Sequence, residues 1–419
     1  MTMSNGQNVA IIGAGAVGLF TAYELAKRNV EVTIYERSPI DELRNASWGN
    51  AGHVVPVMSV PLPSKANILA AVRGLTQKDS FMRFPKNLDL ATTRFLLRFA
   101  RNSGKETEHL GKRKLRLINE LAIEQFEDIQ TQGIALGFER APFVSAFQGS
   151  KALLEQVKDF IDISDVGSSM CLELLDRDEL HHREPLSAAV GNFGLTVHDQ
   201  GLVQPPLLLR NLVDALVALD VQFENRTVTA IKSAPSGDVY IESDGYSRTL
   251  HSKAVISSGA WLDDLAKDHG VGPHVLAGFG YSLSVETTHL PKGMLYFPEA
   301  KIATTRMGRT LRISTLMQID RPGAKFDMAR GAQLQRLARR VVPSAHWETV
   351  NELWSGGRPI STDGLPIIGE THTRNVYVNG GHGMWGITLG PISGRLLAEA
   401  IIAGKSDIET PGFSPRRKA

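Results

Sequence analysis

Val9–Arg37 reads VAIIGAGAVGLFTAYELAKRNVEVTIYER. The run passes from strand to glycine turn to helix to strand. Val9–Ile12 is short and continuously apolar, as a strand buried on both faces is. Gly13, Gly15 and Gly18 then form G-x-G-x-x-G. Phe20–Arg28 has helical composition, and Val30–Tyr35 is β-branched. Each glycine meets a geometric demand. Gly13 allows a tight turn, Gly15 a close approach of backbone to a pyrophosphate, and Gly18 contact between helix and strand. The free N–H groups at the helix start favour phosphate charge. Glu36 closes the second strand, where a carboxylate accepts hydrogen bonds from a ribose 2′-OH and repels a 2′-phosphate. The stretch implies a dinucleotide, FAD or NAD rather than NADP; the alternative is a tight βαβ turn that holds no ligand.

The chain has 419 residues, 42% hydrophobic and 21% charged, with a formal net charge of +2. That length buries a large core and suits two domains. The balanced charge gives no electrostatic case for nucleic acid. The single cysteine, Cys171, can close no internal disulfide, so a reducing compartment and a structural thiol are expected. The apolar N-terminal run has no basic region before it, and its glycines belong to the turn, so it is not read as a signal peptide. No uninterrupted apolar run is long enough to span a bilayer. The terminal Arg416-Arg417-Lys418 reads as a solvated tail. His181 and His182 are adjacent rather than on one helix face, so no metal site is expected.

Outward from the first stretch, Asn45–His53 (NASWGNAGH) is small and polar, suited to wrapping a ligand with backbone donors; Ser47, Asn50 and Gly52 are the residues placed near a cofactor. Val54–Val60 and a helix over Ile68–Leu75, with Lys65 and Arg73 nearby, fit domain packing, a cover over an active site or a peripheral membrane contact. Asn87–Gly133 reads as one long, basic helical stretch. Ala254–Ser257 is a buried strand that runs into Ser258-Gly259-Ala260-Trp261, a second place for backbone to meet phosphate. Gly278–Val285, Leu295–Phe297, Lys301–Thr305 and Leu311–Ser314 alternate as antiparallel strands do. Trp354–Ile401 carries WSGGRPISTDGLPIIG, a strand at Val376–Val378, a glycine-rich loop at Asn379–Gly386 and a helix over Thr388–Ile402. Such a loop can lay N–H groups against an anion or a polarised ring edge.

Taken together, the N-terminal fingerprint, SWGNAGH, SSGAW, GGRPISTDGLPIIG and NGGHGMWGITLGPISGRLLAE resemble the FAD-dependent D-amino-acid oxidase family. They are most similar to its bacterial D-amino-acid dehydrogenase branch. Ser361-Thr362 stands before Asp363 where that branch has Thr-Pro. The resemblance spans the chain and is strong at its two ends. It implies an α/β fold: a discontinuous Rossmann-type FAD-binding domain (1–60, 196–262, 350–419) and an inserted α+β substrate domain on an antiparallel sheet (61–195, 263–349). It places the ADP half of FAD at Gly13, Gly15, Ala16, Val17, Gly18, Glu36 and Arg37. Adenine-side contacts fall near Val228 and phosphate-side contacts at Gly259 and Trp261. Ser47, Gly52, His53, Gly383, Gly386, Ile387 and Thr388 would surround the flavin, with the helix start beside its N1–C2=O edge.

Arg358, in the G-x-R-P segment, is the expected carboxylate clamp, because a guanidinium holds a carboxylate with two parallel hydrogen bonds. Tyr281 would either enclose substrate or pack in the core, and His53 and His382 are candidate proton acceptors. With no cysteine near the C-terminal segment, FAD is expected to be non-covalent. The implied activity is oxidation of a D-amino or D-imino acid, with electrons passing to a quinone. The setting would be cytoplasmic or peripheral on the inner membrane. A glycine- or sarcosine-type oxidase using oxygen, a non-catalytic flavoprotein subunit and an NAD-dependent dehydrogenase are the alternatives.

Overall fold

The computed structural model describes residues 7–73, 80–85, 89–164, 170–404 and 412–418. Two sheets organise them. The first has six strands, in the order Ile367–Glu370, Val376–Gly380, Lys253–Ile256, Asn8–Ile12, Glu31–Glu36 and Gln222–Asn225. All neighbours are parallel except the Ile367–Glu370 edge. Asn8–Ile12 lies in the middle, so both of its faces are covered. Val9 and Ile11 enter one core while Ala10 and Ile12 enter another, which is why this strand is continuously apolar instead of alternating.

The Ala16–Ala26 helix packs against Gly386–Ala403. A side chain at Gly394 would come within 2.8 Å of the Phe20 backbone, so glycine is what lets these helices approach. Gly386–Ala403 is 18 residues long and, by length and mean hydropathy, apolar enough to cross a membrane, although Arg395 and Glu399 interrupt its apolar run; 67% of it is buried within the protein. Its apolar side chains join those of Leu19 and Phe20 in one core, so its composition is explained by protein packing.

The second sheet has ten strands, and its main path runs Ala345–Ser361, Val275–Thr287, Thr310–Asp320, Ile302–Met307, Met294–Phe297, Glu139–Phe147, Phe193–Leu202 and His53–Val54. One face packs on the Met328–Val341 helix through Leu283, Leu311, Ile313 and Leu334. The other face looks toward the Asn45–His53 loop. A smaller three-stranded sheet spans Val228–His251.

Strand pairing and core packing cross the boundaries expected from the sequence. Residues 196–202 and 350–361 pair within the large sheet, not the parallel one. Leu115, Ile118 and Phe126, expected in the substrate domain, pack into the core around Phe20 and Leu397. The helical stretch is three helices, Leu90–Arg101, Lys105–Asn119 and Ala122–Thr131. Residues 87 and 88, and the end of the expected helix at residues 74 and 75, lie outside the described residues. The first helix begins at Ala16 rather than Phe20. The basic C-terminus is not a solvated tail. Arg417 pairs with Asp363 at 2.7 Å and donates to the Leu365 carbonyl, and Arg416 donates to Thr371 and Glu370. Both clamp the chain end to the edge of the parallel sheet.

Candidate active site

The glycine turn has the geometry its sequence demands. Gly13 has φ +112, and a Cβ there would lie 2.5 Å from the Ser257 carbonyl oxygen. A Cβ on Gly18 would lie 2.0 Å from the Gly13 oxygen. Around Gly15 the nearest atom to such a Cβ is Ser47 Oγ at 3.7 Å, so the backbone is open to a ligand there. Glu36 Oε2 accepts from the Ala14 N–H at 2.8 Å, and Ser47 Oγ accepts from the Ala16 N–H at 3.1 Å. The carboxylate therefore ties the strand end to the turn, and the Asn45–His53 loop is anchored on the helix start.

Neighbouring elements converge on the same place. The Arg226 N–H and Asn225 Nδ2 donate to the Glu36 carbonyl, which brings Val228 alongside. Arg37 stacks on Trp261, with Cζ 3.6 Å from the ring centroid. Gly259 has φ +58, and no atom of the described residues lies within 4 Å of a Cβ position there. The buried hydroxyls of Ser257 and Ser258 have no hydrogen-bond partner among the described residues. An open cradle at Gly15 and Gly259 with unsatisfied donors beside it fits a pyrophosphate-bearing dinucleotide.

At the far end, the glycine-rich loop is stitched to the strand that carries Arg358. The Gly383 N–H donates to the Pro359 carbonyl at 2.8 Å, and Ile360 bridges His382. Gly383 thus offers space rather than its amide. Thr388 Oγ1 donates to the His53 carbonyl at 3.2 Å, and a Cβ on Gly386 would rest 3.6 Å from Val17. Ile387 is 2% exposed and packs into the core, so only its backbone can serve a ligand. Gly52, with φ +78, is forced to glycine by the Val203 carbonyl. Asn50 Oδ1 accepts from the Gly52 N–H, so this side chain shapes the loop itself.

Arg358 occupies the Ala345–Ser361 strand, opposite Gly278. Its Nη1 donates to the Leu316 carbonyl at 3.1 Å, and its Nη2 would lie 2.1 Å from a Cβ on Gly280. No carboxylate pairs with it among the described residues. Burial lowers its pKa to about 10, so it remains a cation at neutral pH. A buried cation without a counter-ion is costly unless an anion arrives.

Tyr281 requires a correction. It pairs with Ser355, whereas Arg358 shares parity with Gly356 and Trp354. Alternation along a strand sends Tyr281 and Arg358 to opposite faces. Tyr281 is 2% exposed, packs edge-on to Phe326 and donates to Gln318 Oε1. Of the two expected roles, the structure gives it core packing, on the sheet face opposite to Arg358.

The histidines also differ from expectation. Burial lowers the pKa of His53 to about 4 and that of His382 to about 3, outweighing backbone contacts that raise them. His53 Nε2 lies 3.2 Å from the Thr304 carbonyl, and His382 Nε2 lies 2.8 Å from Ser393 Oγ. Since Ser393 donates onward to the Leu389 carbonyl, His382 Nε2 must itself donate. Both rings are neutral at pH 7 and too weakly basic to take a proton from an ammonium group efficiently. A lowered histidine pKa contributes stability that is present above the unfolded value near 6.5 and is lost as pH falls toward the folded value. At pH 5 the loss from His382 amounts to ~2 kcal/mol. Glu184, pushed up to about 7 by burial, acts with the opposite sign: its contribution fades as pH rises. Melting temperatures at pH 7.5 and 5.0 for wild type and His382→Asn should therefore show a smaller acid-induced drop in the variant. Equal drops would refute the neutral, buried imidazole.

Arg312, Trp48 and Trp354 escaped the sequence reading. Trp354 covers Gly49 so closely that any side chain there would strike its ring, and its Nε1 donates to the Arg44 carbonyl. Arg312 is 1% exposed, and its Cζ lies 5.2 Å from the Trp48 ring centroid. The signal for Arg312 was present in LRIST, a charge inside an apolar strand.

Comparison with known proteins is consistent with this geometry. Residues 8–400 match the family described as DAO, FAD dependent oxidoreductase. The D-amino acid dehydrogenase of Granulibacter bethesdensis is 28% identical, covering 98% of this chain and 99% of its own. Among solved structures, glycine oxidase from Geobacillus kaustophilus superposes with TM-score 0.73 at 22% identity, covering 99% of this chain and 100% of its own. The L-amino acid deaminase of Proteus vulgaris gives 0.72 at 15% identity, covering 100% and 98%.

Proposed function

Because the chain belongs to the DAO family of FAD-dependent oxidoreductases, we propose that it oxidises the Cα–N bond of a D-amino acid, or of a cyclic D-imino acid. The D configuration is supported by the similar D-amino acid dehydrogenase. The observation that carries the reading is Arg358, a buried guanidinium with no counter-charge among the described residues, on the sheet face turned to the Asn45–His53 loop.

The bound FAD supplies a two-electron acceptor for the hydrogen leaving Cα. The protein's own contribution is placement. Arg358 takes the substrate carboxylate in two parallel hydrogen bonds and so fixes Cα. The glycine turn, Glu36 and Ser47 hold the dinucleotide end. The amine must be neutral for its lone pair to form the C=N bond, and with His53 and His382 too weakly basic, its proton leaves to solvent before oxidation. The imine is then hydrolysed to a 2-oxo acid and ammonia, or released as a cyclic imine from a secondary amine. Electrons pass on to a quinone, in the cytoplasm or at the inner membrane surface; exposed Leu69 and Val72 on the Lys65–Arg73 helix support a peripheral membrane contact.

Anaerobic flavin bleaching across paired D- and L-amino acids, followed by re-oxidation with a quinone or with oxygen, tests this. Bleaching by D-amino acids and faster re-oxidation by quinone are expected. Preference for glycine or sarcosine, with peroxide formed, would replace the reading by an oxidase; no bleaching by any amino acid would end it. FAD is held non-covalently in this account, because Cys171, the only cysteine, is exposed beside the Leu172–Leu175 strand. Acid precipitation should leave the yellow colour in the supernatant; colour retained in the pellet would show a covalent bond.

A further inference from the structure

We propose that the sheet face beside Arg358 carries a second polar subsite, which selects amino acids whose side chain ends in an oxygen acceptor, a carboxylate or a carboxamide. Four polar atoms there are buried and have no hydrogen-bond partner among the described residues: Ser282 Oγ, Ser314 Oγ, Thr305 Oγ1 and Arg312 Nη1. The residues that carry them are 1%, 7%, 0% and 1% exposed.

These atoms belong to one patch. Ser282 pairs with Ser314, and Ser284 with Arg312, across two adjacent strands; on the next strand Thr305 pairs with Arg312. Paired residues point to the same side, so all lie on one face. Gly280, over whose Cβ position the Arg358 guanidinium lies, precedes Ser282 by one alternation on the same face, about 7 Å along the strand. A substrate clamped at Arg358 therefore has the patch within reach of its side chain.

The chemistry of the patch is donor-rich. Arg312 Nη2 donates to Glu352 Oε2 and its Nε to Ser284 Oγ, while Nη1 remains over. Glu352 offsets part of the charge from a half-exposed position. What is left is one guanidinium donor and three hydroxyls, each able to donate. Buried donors without partners are costly and rare in folded proteins. An oxygen acceptor satisfies them; a methyl or isobutyl group leaves them unpaired, and such mismatches discriminate strongly between substrates.

This inference rests on the amino-acid reading above, and its test separates the two. Ser282→Ala and Ser314→Ala are made singly and together in the flavin-loaded enzyme. Anaerobic bleaching is measured with D-glutamine and D-glutamate against D-norvaline and D-leucine. The wild type should favour the polar pair, and each lost hydroxyl should lower the polar-to-apolar ratio of kcat/KM by about tenfold. The melting temperature should not fall, because a hydroxyl without a partner adds nothing to the fold. An unchanged ratio, with D-norvaline still turned over, overturns the subsite and leaves the function standing. Loss of flavin from the variants also overturns it, since the hydroxyls would then serve the cofactor. Absence of bleaching by every amino acid overturns both.

Discussion

Arg358→Ala is expected to lower kcat/KM for the amino acid about a hundred- to a thousand-fold, the equivalent of ~3–4 kcal/mol. The size follows from the setting. The guanidinium is buried, its pKa is lowered to about 10 by burial, and one arm is tied to the Leu316 carbonyl. A carboxylate arriving there meets a pre-oriented fork with little water to displace. Arg358→Lys keeps a charge but loses the parallel geometry, so it should recover only part of the activity. The variants should melt no lower than wild type, since removing an uncompensated buried cation relieves a desolvation cost. Activity within about threefold of wild type in the alanine variant would remove Arg358 from substrate binding. Gly280 is part of the same device: a Cβ there would lie 2.1 Å from Nη2.

Gly18→Val is expected to yield protein with less than about a tenth of its flavin. A Cβ on Gly18 would lie 2.0 Å from the Gly13 carbonyl oxygen. Gly13 cannot retreat, because its own hydrogens already face the Ser257 carbonyl oxygen across 2.5 Å of Cβ space. The turn must open, and with it the register between helix and strand that aims the first-turn amides. Gly404→Ala is the control for backbone strain alone. Gly404 follows the last helix at φ +73 with no atom of the described residues within 4 Å of a Cβ position, so this change should cost ~1 kcal/mol of stability and leave the flavin bound. A fully flavinated Gly18→Val protein would show that the pyrophosphate lies elsewhere.

What was legible in the sequence was local. Strand, turn and helix in Val9–Arg37 follow from apolar runs and glycine spacing, which depend on a few neighbouring residues. Arg358 was singled out because its segment is distinctive, and the structure buries it with no counter-charge among the described residues. Features set by long-range pairing were not legible. The face on which Tyr281 lands depends on its register with Ser355, and a shift of one residue reverses it. Arg417 looks like any terminal basic residue until Asp363, 54 positions earlier, is brought beside it. Residues 350–361 were assigned to the FAD-binding domain, yet they pair with Val275–Thr287 in the large sheet, a long-range pairing that local sequence does not reveal. Arg312 was missed, although a charge in an apolar strand was there to see, and only the ladder shows that it shares a face with Arg358.

The central claim is that Arg358 binds the substrate through its carboxylate. Its most direct test is anaerobic stopped-flow reduction of the enzyme-bound flavin by a D-amino acid and by the matching D-amino acid amide. The amide keeps the Cα–H and the amine but removes the negative charge. The acid should bleach the flavin rapidly and the amide little or not at all, and Arg358→Ala should lose this distinction. Equal bleaching of the wild-type enzyme by acid and amide would contradict it.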